Sequence, residues 1–207
     1  MTATAVPTST PTPAAAVRDH RPSLSVRELA VTAGGVLFAA GNALHPMGHS
    51  EAAHQAATWV AAHVTFGAGA VLVAAGAGAL AARLAPSRVA TIGLAVLWVG
   101  LVLIPVGGYA EAYVAPAMHS GFAAVEQATL WFSALAGAAT LLGPLLITVG
   151  ALRSRLLPAP VAVSLLALPV GGVLGGALPV EGWGIIPGTV VFGLGIAAAG
   201  WLSRTPA

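Results

Sequence analysis

Six apolar segments, each close to the length that crosses a lipid bilayer, make up most of this 207-residue chain. A transmembrane helix needs about 20 predominantly apolar residues, because it must cross about 30 Å of hydrocarbon. The segments lie at 29–44, 57–82, 89–110, 128–152, 161–178 and 183–202. The sequence therefore predicts an all-α integral membrane protein with six transmembrane helices in two or three hairpin repeats.

The scarcity of charge supports this prediction. Only 7% of the residues are charged and 57% are hydrophobic, whereas soluble domains carry about 25% charged residues. Such a chain cannot cover a surface that faces water, so the lipid bilayer is its expected partner. The basic residues form no cluster of the kind that binds nucleic acid. The absence of cysteine excludes disulfides and thiol catalysis.

The segment before the first apolar stretch has a different composition. Residues 1–25 are rich in Thr, Pro and Ala and include His20, which predicts a disordered cytoplasmic tail ahead of a transmembrane domain at 26–207. An alternative is a signal peptide, because Gly41-Asn42-Ala43 resembles a cleavage site. We favour retention of the first segment, because it has a counterpart in the third.

The distribution of arginine predicts the orientation. All eight basic residues are Arg, and in the six-segment topology each of them falls on the same side. They are Arg18, Arg21, Arg27, Arg83, Arg88, Arg153, Arg155 and Arg204. Because arginine-rich loops stay in the cytoplasm, both termini are expected inside. The bias towards Ala, Gly and Arg is typical of a GC-rich bacterial genome, so the expected location is the inner membrane.

Two short motifs recur at an offset of 72 residues. The segment 54–59 resembles 126–131, with Trp59 matching Trp131, and the segment 83–86 resembles 155–158. Segments one and two are therefore predicted to form a hairpin that is duplicated in segments three and four, with segments five and six as a degenerate third copy. Many glycines are predicted to allow close helix packing. They are Gly34, Gly35, Gly41, Gly67, Gly107, Gly108, Gly137, Gly143, Gly150, Gly171, Gly172, Gly175 and Gly176.

A cluster of histidines and acids is predicted on the face opposite the arginines. Imidazole is a common metal ligand, so this cluster is a candidate site for a transition-metal ion or a b-type haem. Its members are His45, His49, Glu51, His54, His63, Glu111 and His119. The alternatives are a wet interfacial loop and, for His63, a structural hydrogen bond to Asn42 or to a carbonyl.

His63 is the most informative member of this cluster. It lies four residues after Trp59, on the same helical face, and Trp59 is expected to mark the membrane interface. The short connection between segments one and two, together with the helical rise, predicts that His45 and His63 approach each other.

The pattern Leu44-His45-Pro46, followed by Trp59 and His63, resembles one in small polytopic membrane proteins of unknown function from GC-rich bacteria. This resemblance implies a fold type and no activity. A fainter resemblance is to the nickel permeases of hydrogenase and urease operons, which have six spans and a His-Pro start. The Asp-His pair that follows in those proteins has no counterpart here, because no Asp follows Pro46.

Three classes of function remain open. The cluster has a binding or redox role, the protein is a permease for a small solute or a metal ion, or it is a non-catalytic accessory subunit of a membrane complex or homo-oligomer. No hydrolase, metalloprotease or phosphate-binding motif is present, so the sequence does not decide whether the protein is an enzyme. A polar path that continues inward past His63 would favour the permease.

Overall fold

A computed structural model of the chain describes residues 24–48, 51–117, 121–178 and 182–204. The predicted tail lies almost wholly outside these residues. The helices are α1 (Val26–Leu44), α2 (Glu51–His54), α3 (Trp59–Leu84), α4 (Arg88–Tyr109), α5 (Ala115–Ala117), α6 (Gly121–Arg153), α7 (Ala159–Ser164), α8 (Ala167–Ala177) and α9 (Ile185–Leu202). A π-helical segment, Ala110–Val114, joins α4 to α5. The described residues contain no strand, so the all-α prediction is confirmed.

All six predicted apolar segments are helical, and five of the helical spans are long and apolar enough to cross a membrane. These five are α3, the α4–α5 unit, α6 from Gln127, the α7–α8 unit and α9. The remaining helix, α1, is not among them. Large apolar side chains cover much of the outer surface of the bundle, as expected for contact with lipid. These properties are those of a multi-pass membrane protein.

Local signals set the limits of α1. Its N-terminus is a capping box, in which the Ser25 hydroxyl accepts from the Glu28 backbone N–H and the Glu28 carboxylate accepts from the Ser25 backbone N–H. Its C-terminal cap is His45, which has an extended backbone (φ −69°, ψ 131°). The residue before a proline disfavours the helical conformation, so Pro46 ends the helix and fixes the direction in which His45 leaves it.

The six main helices, α1, α3, α4, α6, α8 and α9, form a closed ring in which adjacent helices are antiparallel. Around the ring, α1 packs on α3, α3 on α4, α4 on α6, α6 on α8, α8 on α9, and α9 on α1. We call the two ends of the bundle the arginine end and the histidine end. At the arginine end, Arg83 donates to the carbonyls of Leu156 (2.9 Å) and Leu202 (2.7 Å), which ties three parts of the chain together.

Glycines bring α1 and α3 into backbone contact. A Cβ atom at Gly34 would lie 2.8 Å from both the carbonyl oxygen of Gly69 and the backbone nitrogen of Val73, too close for any side chain. The α4–α6 pair makes the same contact, because a Cβ at Gly93 would lie 2.8 Å from Gly143 O and 2.6 Å from Ile147 N.

The correspondence between the two helix pairs extends over several turns. Three further glycine contacts recur in both pairs. Between α1 and α3, Gly41 contacts Ala62 and Phe66, Gly69 contacts Phe38, and Gly76 contacts Val31. In the same order between α4 and α6, Gly100 contacts Ala136 and Thr140, Gly143 contacts Leu97, and Gly150 contacts Ala90. Adding 59 to the number of a contact residue in α1 gives its equivalent in α4, as from Gly34 to Gly93. Adding 74 to the number of a contact residue in α3 gives its equivalent in α6, as from Gly69 to Gly143. These offsets differ from the 72 residues that separate the sequence motifs.

The prediction of close packing was wrong for some glycines. A Cβ at Gly107, Gly137 or Gly176 would have no described neighbour within 4 Å, so each of these glycines borders open space. At Gly67 the nearest atoms belong to Pro105 at 3.8 Å, which is ordinary van der Waals contact. Glycine content alone therefore does not identify the helix interfaces.

Candidate functional site

His63 lies one turn into α3 and is almost completely buried, with 1% of its side chain exposed. Its Nδ1 atom is 2.8 Å from the carbonyl oxygen of Trp59, and its Nε2 atom is 2.9 Å from Glu111 Oε2. A carbonyl oxygen can only accept, so Nδ1 carries a hydrogen and donates it to Trp59. The expected alternative partner, Asn42, instead donates to the carbonyl of Phe38 in its own helix.

Glu111 is positioned by the π-helical segment that follows α4. The segment is closed by a hydrogen bond from the Ala115 N–H to the Ala110 carbonyl, and such π segments occur often at functional sites. The Glu111 side chain is 34% exposed. Its backbone carbonyl accepts a hydrogen bond from the Trp59 indole (3.3 Å), so α3 holds both the backbone and the carboxylate of Glu111.

His45 lies against this pair from α1. Its ring centroid is 4.9 Å from that of His63 and 5.1 Å from that of Trp59. The prediction that His45 and His63 approach each other is confirmed. The Nδ1 atom of His45 is 2.8 Å from the Pro46 carbonyl, so it too must be the donating nitrogen. In both histidines Nδ1 therefore faces a backbone carbonyl, and in His63 Nε2 faces Glu111.

Trp59 has a different role from the one predicted for it. An interfacial tryptophan would face the lipid headgroups, but Trp59 is only 1% exposed. It packs between His63 (4.3 Å between ring centroids) and His54 (4.7 Å). Trp59 is therefore part of the protein interior, and it supports the site through its stacking and its bond to Glu111.

A cavity of about 400 Å³ opens beside the His63–Glu111 pair. It lies within the ring of helices at the histidine end, and residues from α1, α3, the π segment, α8 and α9 line it. Its polar groups are the side chains of Asn42, His45, His63 and Glu111, and its other walls are apolar or glycine.

A second cavity, of about 250 Å³, lies next to the first and shares Asn42, Phe66, Glu111 and Ile185 with it. All six main helices contribute to its lining, which includes the hydroxyl-bearing residues Ser133, Thr140 and Thr189. The two cavities together thus border all six main helices, and their shared wall includes Asn42 and Glu111. Most ligand sites have this character, with mainly apolar walls and a few placed polar groups.

The structure brings together only part of the predicted seven-residue cluster. His45, His63 and Glu111 converge, and His54 makes an edge-on ring contact with Trp59. His49 and His119 lie outside the described residues, as does the side chain of Glu51, so their predicted role is untested. Within the described part of the chain, no three His, Asp or Glu side chains are placed to hold a metal ion together.

Asn42 and Phe66 line both cavities but were not predicted as site residues. A signal for Asn42 was present, because a carboxamide within a transmembrane segment usually faces the protein interior. Phe66 gave no such signal, since an aromatic residue in an apolar segment is equally compatible with contact with lipid.

Comparison of the chain with known protein families, with curated proteins and with solved structures finds no match in any of the three.

Proposed function

We propose that this protein is a permease that binds a small solute in the central cavity next to His63 and Glu111. The observation that carries the proposal is the cavity of about 400 Å³, which reaches an ionisable pair on one of its walls. Ionisable groups within membrane segments are costly, and they commonly mark the paths of substrates, ions or protons. The adjacent cavity supports a path that leads further into the bundle.

The proposed topology has six spans, with α1 as the sixth, both termini in the cytoplasm and the histidine end outside the inner membrane of a bacterium. Support for α1 comes from its packing, because glycines place it in backbone contact with both α3 and α9. Support for the orientation comes from the arginine distribution.

Cysteine labelling tests this topology cleanly, because the chain contains no cysteine. A single cysteine at Ser50 or Ser120 should react with an impermeant maleimide added outside intact cells, and a cysteine at Ser154 should react only after the cells are opened. Labelling of positions 50 and 120 only from the cytoplasmic side would reverse the orientation.

We also infer that the α1–α3 and α4–α6 hairpins arose by duplication. The inference rests on glycine contacts that recur with constant offsets in both pairs. Two hairpins of the same direction around a central cavity are a common plan among transporters, in which the site lies at the interface of the repeats. Here Glu111 follows α4 of the second hairpin and His63 belongs to α3 of the first, so the pair itself bridges the two.

Access to the cavity from both sides of the membrane distinguishes a permease from an accessory subunit. A cysteine at Ile186, which lines the cavity, should react with a small water-soluble methanethiosulfonate from either side of reconstituted vesicles, because a permease opens alternately to each. A cysteine at Val191, 44% exposed on the apolar exterior, is the matched control and should not react. Reaction at position 186 only from the histidine side would contradict the permease proposal. The cavity would then be a binding site that opens to one side of the membrane.

A second candidate function is binding of a transition-metal ion or a b-type haem. It is favoured by one observation, namely that Nδ1 of both His45 and His63 faces a carbonyl oxygen at 2.8 Å. Histidines that bind metals usually have their second nitrogen fixed in this way. A complete ligand set would need Glu111 and members of the cluster outside the described side chains, such as His49 or His119.

Metal analysis and an absorption spectrum of the detergent-purified protein test this second candidate. If it holds, His63→Ala lowers the metal or haem content and His20→Ala leaves it unchanged. Purified protein that contains neither metal nor haem, and that takes up neither on addition, would exclude it.

A further inference from the structure

A separate cavity, of about 370 Å³, lies at the arginine end of the bundle and shares no lining residue with the two cavities at the histidine end. Its walls are the N-terminus of α1, the last two turns of α3 and the residues that follow α9. Each of these parts contributes one arginine, namely Arg27, Arg83 and Arg204. Glu28 is the one acidic residue among the described lining residues, so the wall has a net charge of +2.

The guanidinium group of Arg27 reaches from α1 to the surface of α3. A Cβ atom at Gly78 of α3 would lie 3.5 Å from an Nη atom of Arg27. Within the described part of the chain, this guanidinium makes no hydrogen bond or ion pair. Arg27 also lies in the first turn of α1, where a cation is unfavourable because the N-terminus of a helix has a partial positive charge. The stability of α1 therefore does not account for an arginine at this position.

Arg83 and Arg204 are held in place by backbone carbonyls but keep donors for a ligand. Arg83 uses its Nε and one Nη to donate to the carbonyls of Leu156 and Leu202. Arg204 uses only its Nε, which donates to the Trp201 carbonyl at 2.8 Å, and its Cζ lies 3.0 Å from the centroid of the Trp201 ring. Since a guanidinium has five N–H donors, most of the donors of Arg204 remain. Side chains that are already held lose little further freedom on binding a ligand.

The orientation of the protein in the membrane accounts for arginines at this end but not for their grouping around one cavity. Three other described arginines, Arg88, Arg153 and Arg155, are exposed at the same end and do not line the cavity. Arginines placed in this way serve the positive-inside rule equally well. Like charges around one cavity repel each other, so the grouping of the other three favours an anion between them.

We propose that this cavity binds a phosphate-bearing ligand of net negative charge, either an anionic lipid headgroup or a soluble phosphate. The planar guanidinium group matches phosphate, because it donates two parallel hydrogen bonds to a pair of phosphate oxygens. Basic pockets between transmembrane helices on the cytoplasmic side are known to bind phosphate-containing lipid headgroups. The volume of about 370 Å³ is within the range of small-molecule sites. This inference goes beyond the proposed permease function and does not depend on it, because the two sites share no residue.

Three probes test the proposal and distinguish the two sources of phosphate. They are inorganic phosphate, dihexanoyl-phosphatidylglycerol and dihexanoyl-phosphatidylcholine, titrated by calorimetry into the full-length protein in nonionic detergent, with protein-free micelles as the blank. Phosphatidylcholine is the control, because its choline cancels the charge of its phosphate. Tighter binding of phosphatidylglycerol than of the other two probes would support a lipid site, and binding of inorganic phosphate at least as tightly would support a soluble phosphate. Absence of phosphate binding, together with equal affinities for the two lipids, would overturn the proposal.

Substitutions of single arginines locate the binding in the cavity. Arg27→Gln and Arg204→Gln should each weaken binding of the preferred probe by about fivefold. Arg153→Gln removes the same charge at the same end but outside the cavity. It is the matched control and should change the affinity by less than about twofold, because salt screens exposed charges. Equal affinities in all three variants would show that the bundle responds only to its net charge, and would exclude the cavity as the site.

The salt dependence of binding provides a test that needs no variant. Arg83 is left intact throughout, because loss of its bonds to Leu156 and Leu202 would also loosen the bundle. Melting temperatures and size-exclusion profiles report whether the other variants fold. In the parent protein, the affinity for the preferred probe should fall as the salt concentration rises from about 0.05 M to about 0.5 M. An affinity that does not change with salt would contradict recognition by arginines, whatever the behaviour of the variants.

Discussion

The two helix pairs α1–α3 and α4–α6 share their packing and differ in their chemistry. The same glycine contacts occur in both, with constant offsets of 59 from α1 to α4 and 74 from α3 to α6 (34 to 93 and 69 to 143). At the positions that carry the site in the first pair, the second has apolar or small residues. By these offsets, His45 corresponds to Ile104, His63 to Gly137 and Trp59 to Ser133.

This comparison indicates that the packing and the site depend on different residues. Backbone contact between helices requires only small residues at the crossing points, and both pairs provide them. The imidazoles of His45 and His63 belong to the first pair. The second hairpin contributes Glu111, which follows the end of α4 instead of lying at a crossing point. The proposed site therefore arises from an asymmetry between two similar hairpins, and the following predictions test that asymmetry.

The largest expected difference is between Trp59 and Trp131, which the sequence motifs match to each other. Trp59 is 1% exposed and Trp131 is 85% exposed. Trp59→Ala should destabilise the protein by about 3–5 kcal/mol, because it removes a large buried side chain. Trp131→Ala should change stability by about 0.5 kcal/mol or less. Unfolding titrations in mixed micelles measure the free energy of unfolding of both variants. Equal losses of stability would contradict the burial of Trp59 and the exposure of Trp131.

Next in size is the effect of adding a methyl group at the helix crossings. Gly69→Ala and Gly143→Ala should each cost about 1–3 kcal/mol, because the new Cβ would overlap the backbone or Cβ of Phe38 or Leu97. Gly137→Ala is the matched control on α6. With open space around its Cβ, it should be neutral or up to about 1 kcal/mol more stable, because alanine favours helix. A similar loss at Gly137 would contradict the open space around its Cβ.

The smallest expected effect concerns a hydrogen bond from α6 of the second pair to α7, for which α3 has no equivalent side chain. Thr148 donates its hydroxyl to the Ala162 carbonyl of α7 at 2.8 Å, while the equivalent position in α3, at the offset of 74, is Ala74. Thr148→Val should cost about 0.6 kcal/mol, the usual value for a hydrogen bond between membrane helices. Thr140→Val removes only bonds within its own helix and should cost less. Thermal melting in detergent compares the two variants.

The offset also shows which features of the fold could be predicted from the sequence alone. Segment positions follow from hydropathy, and the approach of His45 and His63 follows from a short connection and the helical rise. The sequence motifs, however, match at 72 residues while the packing of α3 and α6 matches at 74. Two residues correspond to about 200° around a helix, which places Trp59 inside and Trp131 outside. Motif similarity therefore matches Trp59 to Trp131, although the first is buried and the second is exposed.

Other features of the site could not be predicted because they depend on tertiary structure. Gly137 and Gly143 are indistinguishable in sequence, yet only Gly143 contacts another helix. The pairing of Glu111 with His63 depends on the π segment, and no residue type in 110–114 signals that this turn is wider than an α-helix.

The π segment has a mechanical consequence for the proposed site. A π turn contains one more residue than an α turn, and one residue corresponds to about 100° of rotation around the helix axis. If residues 110–114 rewound into a regular α-helix, the Glu111 carboxylate would swing away from His63 Nε2, and the hydrogen bond between them would break. Deleting a single residue from this segment would impose that state. The helix thus contains one extra residue, and its removal would separate Glu111 of the second hairpin from His63 of the first.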